Sequence, residues 1–142
     1  MLQKLGISNI TYNAEVMALR RFDTGIKAVC HCYRCQKRTA SAFSVNLIIP
    51  RASFKITQGT TKSFTYLADS NKLYHTHFCV NCGSTIYGAP ESLPDMVSLK
   101  AGSLDAPLTN LKSIDAEAFV VSRRDYVKPL EGAQQVDGMI QA

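Results

Sequence analysis

The sequence predicts a mainly β domain, and three observations carry that prediction. Segments rich in β-branched and aromatic residues recur at short intervals, turn residues separate them, and helical periodicity is scarce. The first strand is expected over 7–12, where Ile, Thr and Tyr dominate, and the second over 26–29, leading straight into a cysteine cluster. The stretch 43–49 is the longest apolar run, and Pro50 closes it. Residues 53–57 alternate, Gly59 marks a turn, and 63–66 alternate again. Residues 72–78 bring the chain to a second cysteine cluster, and 85–87, 96–100 and 118–121 complete the strands. A helical turn or two is expected only over 36–40, with a cysteine turn at its start.

The 142 residues predict one domain, set at 1–130, with 131–142 as a flexible tail that holds two glycines and few large apolar side chains. An apolar fraction of 46% with 19% charged residues excludes wholesale disorder. No apolar run approaches the length of about 18 residues needed to cross a bilayer, so no membrane partner is expected. The formal charge of +5 is unevenly spread: residues 1–82 hold 11 basic and 3 acidic side chains, residues 83–142 hold 5 and 8. That excess suits nucleic acid or a small acidic ligand.

All five cysteines fall in two clusters, Cys30-x-Cys32-x-x-Cys35 and Cys79-x-x-Cys82. An odd count, tight spacing and no export signal argue against a disulfide framework and point to a reducing compartment, the cytoplasm or nucleus. A Cys-x-x-Cys turn holds two thiolates at the separation of a tetrahedral edge, and Gly83 after Cys82 permits the tight backbone of a zinc knuckle. Two arrangements fit the spacing. In one, Cys32, Cys35, Cys79 and Cys82 close a single four-cysteine site and Cys30 is spare. In the other, Cys30, Cys32 and Cys35 hold their own zinc with an open position, as catalytic sites do, and the second pair belongs to a separate site. His31 lies between two ligands and would point away from their ion. His75 and His77 share one side of a strand near Cys79 and are further candidate ligands.

Residues 30–43 (CHCYRCQKRTASAF) resemble the first signature of the glutathione-dependent formaldehyde-activating enzymes (GFA), a group that includes the centromere protein V domain. Residues 78–87 (FCVNCGSTIY) resemble its second signature, and 101–107 (AGSLDAP) its glycine-serine-leucine-aspartate turn. The likeness runs in collinear order over roughly residues 3–128. It implies a single zinc-stapled β domain of the GFA type, with short twisted antiparallel sheets, little helix and one or two zinc ions. It makes Cys30, Cys32 and Cys35 the ligands of the catalytic zinc, and it joins Cys79 and Cys82 to an N-terminal C-x-C-G in a structural site. Here that motif reads Gln3-Lys4-Leu5-Gly6, so both cysteines are missing. His75, His77 or water then completes the second site, or it is weak or empty. Glu117 and Tyr126 stand where the family often carries histidine and tryptophan, and 19–25 reads as an enlarged early loop.

The activity that the resemblance implies is a carbon–sulfur lyase reaction joining a thiol, typically glutathione, to formaldehyde as the S-hydroxymethyl adduct. Zinc lowers a thiol's pKa and keeps it as thiolate beside an electrophilic carbonyl. Arg34, Lys37 and Arg38 surround the triad and are expected to offset its charge and bind glutathione carboxylates. The rival is a non-catalytic zinc module associated with nucleic acid or chromatin, to which the basic charge would suit. Against it, the basic residues are not interleaved with aromatics and no long basic tail is present. A lyase acting on another thiol adduct is a third reading. Five thiolates remove five charges and each zinc returns two, so the basic excess partly balances the sulfur clusters.

Overall fold

The computed structural model describes residues 11–14, 25–104 and 110–141. Among these the strands are β1 (Thr11–Ala14), β2 (Ile26–Cys30), β3 (Ser44–Pro50), β4 (Phe54–Gln58), β5 (Thr61–Leu67), β6 (Leu73–Cys79), β7 (Thr85–Pro90), β8 (Met96–Lys100), β9 (Ala116–Ala118) and β10 (Gln134–Val136). One α-helix, α1 (Tyr33–Thr39), follows β2. Eight strands form one sheet in the order β10-β9-β2-β3-β8-β7-β6-β5, and β1 and β4 pair as a separate antiparallel ribbon. The domain is mainly β, as the alternating segments predict.

Most expected strands lie within a residue or two of those observed, and three differences have physical causes. Pro50 is the last residue of β3 rather than its stop, opposite Met96 at an exposed strand end where no ladder donor is needed. The apolar run 118–121 is not a strand: β9 ends at Ala118, Phe119 takes the left-handed conformation (φ 56°), and Val120–Ser122 form a 3-10 turn. Within the segment read as a tail, Gln134–Val136 pair in parallel with β9, which itself pairs in parallel with β2. The sheet is therefore mixed, antiparallel from β2 to β5 and parallel at its other edge. The expected strand 7–12 lies outside the described residues except at its last two positions, as do Gln3-Lys4-Leu5-Gly6 and all of the early loop 19–25 but Gly25.

The registers sort the side chains onto two unlike faces, because directly opposed residues share a face. One face is apolar: Leu47 and Ile49 of β3, Val97 and Leu99 of β8, and Ile86 and Tyr87 of β7 gather there, with Phe54 and Ile56 of the ribbon packed against them. The other face is polar. Cys30 opposes Ser44, Asn46 opposes Lys100, Ser98 opposes Gly88, Gly88 opposes Thr76, and Tyr74 opposes Tyr66. Buried strands of a single core would be apolar on both sides. Here β8 (Met96–Lys100) is buried from Val97 to Lys100 yet alternates apolar with polar, which marks its second face as a site.

Candidate metal centre

The last residue of β2 and the first turn of α1 build the centre. Cys30 ends the strand, His31 and Cys32 turn the chain, and Cys35 lies one turn into the helix. Cys32 is the helix N-cap: its Sγ accepts from the Cys35 N–H at 3.4 Å, satisfying a donor that the helix itself leaves orphaned. The three Sγ atoms all lie within 4.8 Å of one another. Zinc–sulfur bonds of about 2.3 Å set tetrahedral sulfurs about 3.8 Å apart, so the set suits one zinc ion with a position left open. Among the described residues this is the one group of three or more metal-capable side chains. No disulfide links any of the five cysteines.

Thiols this close share protons unequally. Cys35 is held far below the ordinary thiol range, first by hydrogen bonds from Cys30 and Cys32, with Lys100 and Ser44 adding to the effect against burial. Cys30 is pushed up by its hydrogen bonds to Cys32 and Cys35 and then by burial. Cys32 is also raised; its bond to Cys30 favours the thiolate, but Cys35 and burial outweigh it. A cluster that already keeps one sulfur ionised has a donor set chemically suited to a soft divalent cation.

Two cations act on the sulfurs, Arg38 by contact with Cys35 and Lys100 through its charge. Arg38 comes from the last turn of α1, where its Nη2 lies 3.7 Å from Cys35 Sγ and its Nη1 donates to Thr76 Oγ1 and to the Tyr66 hydroxyl. Lys100 comes from the sheet below, where Nζ donates to Asn46 Oδ1 at 2.5 Å. Burial, with Arg38 adding to it, lowers the Lys100 ammonium to about 8 against Cys35, Cys30 and Cys32, which hold it up. Beyond Arg38 an aromatic wall continues across β6 and β5. Its guanidinium stands 5.7 Å from the Tyr74 ring centre, Tyr74 stacks on Tyr66, and Arg34 lies 4.4 Å above Tyr66. Burial pushes the Tyr74 hydroxyl up to about 12, so it stays protonated.

Of the three basic residues singled out from sequence, Arg38 reaches the sulfurs, Arg34 lies on the aromatic wall, and Lys37 is exposed on the helix. Sequence reasoning passed over Lys100, Asn46, Tyr66 and Tyr74. A polar residue at alternate positions of an otherwise apolar strand, as in Met96-Val97-Ser98-Leu99-Lys100, was the available signal. Glu117, noted only as a departure from the family pattern, is fully buried. It accepts from His31 Nε2 at 2.8 Å, from the Leu130 N–H at 2.7 Å and from Gln135 Nε2 at 2.7 Å, and it pairs with Arg123. Burial opposes its ionisation, but those donors together hold its carboxyl below the ordinary value. His31 thus points away from the sulfurs, as its place between two ligands predicts. Gln36 reinforces the turn by donating to the His31 and Ser122 carbonyls.

The second cluster is different. Cys79 is buried in the apolar core, whereas Cys82 is exposed and donates to Ser84 Oγ. Gly83 takes φ 73°, the conformation for which the knuckle reading wanted glycine. The arrangement with all four ligands drawn from Cys32, Cys35, Cys79 and Cys82 does not form, because Cys30 gathers with Cys32 and Cys35 and the second pair does not. His75 and His77 do face one side of β6, but neither joins Cys79 and Cys82 in a group of three ligands. Thr65 and Glu91 occupy both ring nitrogens of His75, and His77 stacks on Tyr87 at 4.2 Å.

The sequence profile described as glutathione-dependent formaldehyde-activating enzyme matches residues 10–122. A comparison with curated proteins returns no match. Among solved structures, a crystal structure of a Rhodobacter sphaeroides protein is similar at 16% identity and a TM-score of 0.49, covering 69% of this chain and 82% of that one. The profile takes in both cysteine clusters, the helix between β2 and β3, and Glu117. The chain belongs to the glutathione-dependent formaldehyde-activating enzyme family.

Proposed function

We propose that the chain is a zinc-dependent carbon–sulfur lyase that makes or breaks the adduct of a thiol with an aldehyde. The observation that carries this reading is the convergence of Cys30, Cys32 and Cys35, three ligands rather than four, between two cations and an aromatic wall. Zinc held there would supply a Lewis acid that keeps sulfur as thiolate. The chain's own residues set the surroundings. Arg38 and Lys100 offset the negative charge of the sulfurs, and Arg34 and Lys37 present exposed cations to the carboxylates of a thiol such as glutathione. Tyr66 and Tyr74 support the two guanidinium groups and shield that side from water.

In the forming direction, the substrate's thiolate sulfur makes the carbon–sulfur bond to the aldehyde carbon. The carbonyl π pair moves to oxygen, which takes up a proton, and the reverse steps release thiol and aldehyde. Glutathione and formaldehyde are the pair that the family's description suggests. Free thiols at the centre suit a reducing compartment, and we assign the protein to the cytoplasm.

The test joins metal analysis to turnover. The purified chain should carry at least one zinc and consume aldehyde only with a thiol, assayed over a panel of thiols and aldehydes. Replacing Cys32 with Ser should abolish both. Zinc content unchanged by C32S, or a metal-free protein, overturns the reading. A salt-dependent shift with DNA and no thiol-dependent aldehyde consumption would favour the binding module instead.

A further inference from the structure

Lys100 is the least expected residue of the centre. It is a lysine at the end of a buried strand, with only 8% of its surface exposed. Burying an ammonium is costly unless a negative charge or strong hydrogen bonds compensate. Among the described residues, no carboxylate forms an ion pair with it. Its Nζ is held instead by a neutral oxygen, Asn46 Oδ1, which also accepts from Ser98 Oγ. Asn46 is fixed in turn, because its amide nitrogen donates to Ser44 Oγ at 2.9 Å. The registers put Lys100 opposite Asn46, and Ser44 opposite Cys30, so this polar row ends beneath the sulfurs. Among the described residues, the negative charge that favours the ammonium is that of the thiolates.

The charge count then points to a ligand class. Three thiolates and a divalent cation leave one negative charge. Lys100 and Arg38 bring two positive charges, so the assembled centre is positive by one. A neutral fourth ligand leaves that charge buried, whereas an anionic one cancels it.

We propose that Lys100 is a specificity-determining residue, whose buried ammonium makes the open position of the three-cysteine centre select a thiolate over a neutral donor. The assignment rests on the proposed metal reading and adds to it the residue that decides what binds there. Asn46 is the positioning residue, acting through Lys100: it keeps the ammonium under the sulfurs without neutralising it, as an aspartate would.

The full chain loaded with cobalt(II) tests this by absorbance, with 2-mercaptoethanol and imidazole as separate probes. Wild type should bind the thiol as thiolate, seen as added sulfur-to-cobalt charge-transfer absorption. In Lys100→Met, which keeps the volume and removes the charge, thiol affinity should fall about tenfold while imidazole affinity stays within about twofold. Asn46→Asp leaves the lysine in place and pairs it with a carboxylate, and it should cause the same selective loss. The second variant keeps the test decisive if the first does not fold. Equal loss for both probes would assign Lys100 a merely structural role, and no loss in either variant would remove it from the centre. A wild-type chain that takes up no cobalt overturns the metal reading itself, which separates that failure from failure of the lysine assignment.

Discussion

Gly88 shows how one residue's lack of a side chain sets the centre's far wall. A Cβ built at this position would lie 1.9 Å from the Tyr74 hydroxyl oxygen, so the tyrosine ring uses the space that any other residue would fill. Tyr74 in turn supports Arg38, which reaches Cys35. Gly88→Ala should therefore expel the Tyr74 ring, cost about 1–3 kcal/mol by chemical denaturation and reduce thiol-dependent turnover. Wild-type stability in the variant would mean that Tyr74 does not need this space. At this scale the cysteines were legible in the sequence, because their spacing is a local property of β2 and α1. Lys100 and Tyr74 were not. A lysine or tyrosine at the end of a strand reads as solvated surface until the register sets it beside a neighbour distant in sequence.

The short elements at the parallel edge depend on one carboxylate. Glu117 sits in the middle of β9 and accepts from His31, from Leu130 and from Gln135 of β10, joining the cysteine turn to the C-terminal segment. Its carboxyl is held below the ordinary value of 4.5 in the folded chain, so the unfolded chain binds the proton more readily. Its contribution is thus complete above that value and is lost as pH falls through the lower, folded value. Glu117→Gln should lower stability by about 1–3 kcal/mol at neutral pH. The deficit relative to wild type should shrink below pH 4.5, read as the difference between two sets of urea midpoints. A deficit that does not vary with pH would refute the assignment of that stability to the carboxylate charge. The pairing of β10 with β9 escaped sequence reasoning for the same reason. Gln134-Gln135-Val136 is too short and polar for a periodicity signal, and it forms because Glu117 gives Gln135 a buried partner. The longer strands β3, β6 and β8 were legible because each carries enough apolar or alternating positions to declare its own face.

At the scale of the whole molecule, a metal at the three-cysteine centre would link the strand β2 to the helix that covers the sheet. A ligand that binds only the folded state stabilises it by mass action. Adding a chelator to zinc-loaded protein should lower Tm by several degrees, and restoring zinc should reverse the change; an unaltered Tm would show that the centre adds nothing to folding. The sequence by itself determined the mainly β class, the two cysteine clusters and the family, because these depend on periodicity and spacing within short windows. Only the tertiary structure decided which cysteines gather and which cations face them. It also decided that one face of the sheet is a polar site and the other a core. Those outcomes depend on strand order and register, which juxtapose residues as far as 88 positions apart, as Lys27 and Asp115 are. The physical reason is that a buried charge is tolerated only beside its partner, and that partner is chosen in space rather than along the chain.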